Sequence, residues 1–127
     1  MANIIDLLLQ SDINKIKNNS KEYEVKRLSK ILGSKFIITC RPLTNEQVNH
    51  IMETAKTNAD VKVLAIYEAC RLESKKFNDK ELMDKFNVIK PTDLIDKLLL
   101  PGEVSAIYEI INTLSGYGKD VVAEVKN

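Results

Sequence analysis

From Thr44 to Leu114 the large apolar residues return at intervals of three and four, and two prolines cut that run into separate segments. This pattern limits the fold more than any other feature of the chain. Proline lacks the amide proton that a helix interior needs, and its ring collides with the preceding turn. It suits a first turn, where the amide would be unpaired in any case. Pro91 and Thr92 therefore open a helix whose buried face is Leu94, Ile95, Leu98 and Leu99. Pro101 ends that helix and begins another, with Val104, Ile107, Tyr108, Ile111 and Leu114 on one stripe. Ser115-Gly116-Tyr117-Gly118 terminates it, Gly116 being suited to a left-handed cap.

The preceding segments read the same way. Thr44 followed three residues later by Gln47 is a capping-box pattern, in which each side chain satisfies the other's free backbone N–H. Val48, Ile51, Met52 and Ala55 follow at helical spacing, and Thr57-Asn58 ends the helix. Asp60 is expected to cap the next one, with Val63, Ile66, Tyr67 and Cys70 as its stripe and Leu64 and Ala69 widening it. A helix apolar over so much of its circumference belongs at the centre. Asn78 or Asp79 starts a short helix with Leu82, Met83 and Phe86, and Asn87 stops it. A last amphipathic stretch carries Val121, Val122 and Val125.

Residues 22–41 are the one β-like region. Phe36 to Cys40 are mostly β-branched or aromatic, and Pro42 closes the run. Tyr23 and Val25 alternate with charged residues, while Val25, Leu28, Ile31 and Leu32 also fit a helical stripe. The first arm, residues 22–32, thus stays open between strand and helix. The preferred reading is a β-hairpin turning at Gly33-Ser34. Asn18-Asn19-Ser20 separates off an N-terminal segment, residues 1–20, read as helical or flexible. Its apolar residues Ile5, Leu8, Leu9, Ile13 and Ile16 fit a helix interrupted at Ser11-Asp12.

A length of 127 residues allows one core, and 44% apolar with 29% charged residues is a globular balance. With 6% aromatics and no Trp, that core must be built from Leu, Ile and Val. The expected fold is mainly α: a compact bundle of about five to six short helices with a small β-hairpin near the N-terminus, filling residues 21–127. The start has apolar residues but no basic region before them and no cleavage site after them, and no run approaches the roughly 20 residues that span a bilayer. A cytoplasmic location and no membrane partner are expected. Cys40 and Cys70 lack metal-ligand spacing and sit in apolar segments, so buried reduced thiols are the favoured state, with a disulfide left open.

The net charge of +1 provides no global field toward nucleic acid. Residues 1–41 hold eight Lys/Arg against four Asp/Glu, and residues 42–127 hold eleven against fourteen. A solvated basic face is the ordinary meaning of that asymmetry; a docking surface for an acidic partner is the sharper one. Lys21, Lys26, Arg27, Lys30, Lys35 and Arg41, with Tyr23 and Phe36, could line a single-strand-binding surface. Two aromatics on a near-neutral chain make no nucleic-acid partner the better expectation.

Nothing reads as catalytic. The sole histidine, His50, falls on a polar helix face, and one His without a Cys cluster excludes a standard zinc site. Nucleophile-elbow, phosphate-loop and calcium-loop patterns are missing. Asp93 with Asp96, and Glu81 with Asp84, sit on outward faces and read as solvated charge. No catalytic, metal or cofactor-binding residue is expected, and the chain reads as non-enzymatic.

Several segments together resemble the XkdN-like phage tail assembly chaperones. Pro91 to Val104, with Lys97-Leu98-Leu99-Leu100-Pro101-Gly102-Glu103 at its centre, is similar to the family's helix ending before the next helix. Ile111 to Gly118 is similar to the family's closing pattern, and Val25 to Lys30, Phe36 to Glu46 and Phe77 to Leu82 fall in the expected order. The resemblance spans residues 22–127. One departure is Arg71 to Lys76, where a turn before Phe77 would be expected.

The resemblance implies a protein that keeps the long tape measure protein soluble before tail tube subunits polymerise around it, and that usually stays out of the finished particle. Its partners would be the tape measure protein and the tail tube protein, with self-association compatible. A tape measure is long, apolar and helical, so a small helical protein with apolar grooves could bind it helix in groove. Candidate contact residues are Leu98, Leu99, Leu100 and Pro101 at the interhelical corner, Tyr117, and Val121, Val122 and Val125. Core packing is the plainer role for each. The alternatives are a structural component of the tail, or a small nucleic-acid-binding protein whose binding would weaken steeply with salt.

Overall fold

The computed structural model describes residues 3–17 and 19–126; Met1, Ala2, Asn18 and Asn127 lie outside the described residues. The N-terminal segment forms two short helices, α1 (Ile4–Leu9) and α2 (Ile13–Lys17). They are separated at Ser11 and Asp12, the break the sequence suggested. Asn3 caps α1 by accepting from the Asp6 N–H at 2.9 Å. Neither helix buries a residue.

The expected hairpin is corrected. Strand β1 (Lys21–Glu24) does pair antiparallel with β2 (Ile37–Cys40), Lys21 opposite Cys40 and Glu24 opposite Ile37. Between them, however, lies not a turn at Gly33-Ser34 but a helix, α3 (Lys26–Leu32). Both readings of the first arm were therefore partly right, because strand and helix follow each other and share Val25 at the boundary. Ser29 locks this insertion in place. Its hydroxyl donates to the Val25 carbonyl at 3.3 Å and accepts from the Phe36 N–H at 2.8 Å. Gly33 ends α3 with φ of 71°, a left-handed conformation that glycine adopts without steric cost.

Helix α4 (Asn45–Thr54) begins with the expected capping box, Gln47 N–H to Thr44 Oγ1 at 3.1 Å and Thr44 N–H to Gln47 Oε1 at 2.9 Å. Helix α5 (Asn58–Ala69) is capped by Thr57 rather than Asp60. Asp60, inside the first turn, instead reaches back to the Lys56 N–H at 3.1 Å. As its all-round apolar sequence implied, α5 is central, burying Val63, Ala65, Ile66 and Ala69. It packs against α4, α7 (Pro91–Leu98) and α8 (Pro101–Leu114).

At Cys70 the chain passes from α5 straight into β3 (Cys70–Arg71), which adds an unanticipated third strand beside β2, in the order β1-β2-β3. Helix α6 (Lys80–Lys85) is capped by Asp79 and stopped at Asn87, whose φ is 56°. Among the described residues there are eight helices where five to six were expected, the difference coming from the one- and two-turn helices near the N-terminus.

One core joins these elements. Ile38, Ile66, Phe77, Leu94, Ile95 and Ile111 are its largest fully buried side chains, with Cys40 and Cys70 beside them. Phe77 enters from a loop, without helical neighbours to announce it. Among the described residues no helix is long and apolar enough to cross a membrane.

Candidate functional site

The corner between α7 and α8 is tied to α3 by one guanidinium. Arg27 Nε donates to Glu103 Oε2 at 3.0 Å, and Nη2 donates to Oε1 at 2.9 Å and to the Leu98 carbonyl at 2.7 Å. Glu103 Oε1 also accepts from the Leu100 N–H at 2.8 Å, which caps the start of α8. Arg27 holds the Glu103 carboxyl below its ordinary range, against a smaller opposing effect of burial and with help from the Leu100 N–H. Within the corner, Leu99 is buried at 6% exposure and Leu98 is half-buried, so both face inward. Leu100, 51% exposed, and Pro101 face solvent.

Tyr117 lies at the other end of α8, about 20 Å from Leu100 along a helix of this length. The end of α8 is a Schellman motif: the Tyr117 N–H donates to the Asn112 carbonyl at 2.9 Å and the Gly116 N–H to the Thr113 carbonyl at 3.1 Å. Gly116, at φ 88°, permits the reversal. Ser115 Oγ accepts from the Leu43 N–H at 2.9 Å, bringing the loop before α4 against this end. The outcome is an apolar cleft of about 250 Å³ lined by Tyr117, Tyr108, Leu43, Val48, Met52 and Val61, among others. Tyr117 is thus brought together with Met52 rather than with Leu100, and both side chains are mostly exposed. Val121, Val122 and Val125 follow in a non-helical, exposed segment.

A larger exposed apolar set lies where no contact residue was expected. Ile4, Ile5, Leu7, Leu8, Leu9, Ile13 and Ile16 on α1 and α2 are each between 50% and 79% exposed. Ile31 and Leu32 on α3 are exposed as well. The helical spacing of Ile5, Leu8, Leu9, Ile13 and Ile16 was visible in the sequence; the lack of a covering partner was not.

Chemistry has little to work with. Among the described residues no polar or charged side chain is buried, and none form a group able to hold a metal ion. A groove of about 620 Å³ between α4, α5 and α7 contains His50, Asp60, Asp93 and Asp96. Asp96, an exposed residue, is raised above its ordinary value by partial desolvation, then by its like-charged neighbours Asp93 and Asp60.

A family model described as phage XkdN-like tail assembly chaperone protein matches residues 5–126. The chain belongs to this family. The match takes in α1 and α2, which the motifs from residue 22 onward did not reach. Membership of a tail assembly chaperone family implies a non-enzymatic role. No curated protein and no solved structure matches this tail assembly chaperone.

Proposed function

We propose that this tail assembly chaperone binds the tape measure protein in the host cytoplasm and keeps it soluble until tail tube subunits assemble around it. The observation that carries the reading is the exposed apolar set: seven large aliphatic side chains on α1 and α2, alongside Leu100, Met52, Tyr117, Val121, Val122 and Val125. A chain with a filled core has no folding reason to display so much apolar surface. Long apolar helices of a client could take it up, with the segment 3–17 as an arm and the domain from residue 21 onward as its base. Leu98, Leu99 and Pro101 would then shape the corner that presents Leu100.

Co-expression with the tape measure protein encoded beside it, followed by affinity purification and sizing, tests this. Soluble tape measure that co-elutes with the chain supports the proposal. A tape measure that remains insoluble while the chain elutes alone overturns it. Detection of the chain in purified particles would favour a structural tail component instead.

A further inference from the structure

Cys40 ends β2, Cys70 begins β3, and the two stand directly opposite each other in the antiparallel pair. The Arg41 N–H donates to the Ala69 carbonyl at 3.0 Å, which makes Arg41 and Ala69 a hydrogen-bonded pair. Such pairs alternate with non-hydrogen-bonded ones, so Cys40 and Cys70 occupy a position where opposing side chains come closest. Their sulfurs are 3.5 Å apart. Both thiols are free and fully buried. The Cα separation of a non-hydrogen-bonded pair, about 4.5 Å, lies within the span a disulfide bridges.

We propose that Cys40 and Cys70 form an oxidation site, a dithiol that a small peroxide converts to an intramolecular disulfide within the folded chain. The thiolate of Cys40 attacks a peroxide oxygen; the S–O bond forms, the O–O bond breaks, and hydroxide leaves. The Cys70 sulfur then attacks the Cys40 sulfur; the S–S bond forms, the S–O bond breaks, and a second hydroxide leaves. The two thiol protons convert both hydroxides to water. Two thiols are oxidised and one hydrogen peroxide is reduced to two waters.

Three features favour this course. The hydrogen bond between the sulfurs favours a thiolate on Cys40 against the opposing effect of burial, while the same bond, with burial, raises Cys70. Cys40 is therefore the sulfur that attacks and Cys70 the one that resolves. Next, β3 is an edge strand of two residues followed by a turn in which Glu73 and Ser74 have positive φ, so peroxide needs only a local opening there. Finally, the resolving sulfur already sits beside the attacked one, which shortens the life of any sulfenic acid. The bond would close a loop of 30 residues that contains α4 and α5.

The test treats the purified, folded full-length chain with hydrogen peroxide and follows intact mass, peptide map and thermal melting. The expected product has lost two hydrogens, yields one linked peptide containing both cysteines, and melts roughly 5–10 °C higher, with reversal by dithiothreitol. C40S and C70S should show no linked peptide and no rise. Should either variant fail to fold, the wild-type chain before and after dithiothreitol remains a sufficient comparison. The proposal is overturned if the cysteines gain oxygen without linking, if they link between chains, or if they stay unreacted under peroxide that oxidises the urea-unfolded chain.

Discussion

Arg27 grips both carboxylate oxygens of Glu103 while the same guanidinium holds the Leu98 carbonyl, so one side chain on α3 joins the end of α7 to the start of α8. The fork geometry of arginine makes this three-way contact, which the compact ammonium of lysine cannot reproduce. R27K should therefore lower the melting temperature by a few degrees despite conserving charge. Thermal melts of the two proteins at equal ionic strength measure the difference.

The same pair makes stability depend on pH. Glu103 is depressed in the folded chain, so the unfolded chain takes up its proton first as pH falls below the ordinary value of 4.5. The stability contributed by the ionised carboxyl is present above that pH and is lost as pH drops through the folded value. E103Q should be less stable than wild type near pH 7, and the gap should narrow steadily in acid. A gap independent of pH would show that the carboxyl's charge has no part in it.

Asp96 has the opposite sign. Partial desolvation and the neighbouring Asp93 and Asp60 raise it, so the folded chain binds the proton more tightly than the unfolded one. Its ionisation therefore costs stability as pH rises above the ordinary value of 3.8. D96N should raise the melting temperature slightly at pH 7, with the gain fading in acid. Melting curves taken across that range will show the trend or its reverse.

Core truncation should be costly where burial is complete. I66A and L94A each remove a fully buried aliphatic group and should destabilise by about 2–5 kcal/mol in urea titrations. I89A removes a side chain that is 93% exposed and should change stability by less than about 0.5 kcal/mol.

The exposed aliphatics of the arm should separate binding from folding. L8K combined with I16K alters two exposed side chains and should leave the melting temperature nearly unchanged. On the proposed function, the pair should reduce the tape measure protein recovered with the chain several-fold in quantitative pull-downs. Full recovery would remove the arm from the contact surface.

Some of this molecule was plain in its residues. Pro91 and Pro101 mark true first turns, and Leu94, Ile95, Val104, Ile107 and Ile111 are buried on the stripes that spacing indicated. Other parts were hidden for physical reasons. Val25 ends a period-two alternation and begins a helical one, so no single period describes residues 21–32. A two-residue strand such as Cys70–Arg71 has no period to detect. Phe77 is buried alone from a loop. At the candidate surface, periodicity revealed that α1 and α2 have an apolar stripe, but a stripe does not say whether anything covers it. Tyr117 was legible only as part of a helix stop; its place beside Met52 depends on how Ser115 draws in Leu43.

Helices of six and five residues with no packed face have little intrinsic persistence, because isolated helices shorter than about 12–15 residues are marginal in water. Whatever docks on α1 and α2 must also maintain their order, and part of the contact energy goes to that ordering. Grip per unit area is then weak, and contacts can be surrendered one short helix at a time. On the proposed function, in which the client passes to arriving tube subunits, a poorly supported arm would provide ready release.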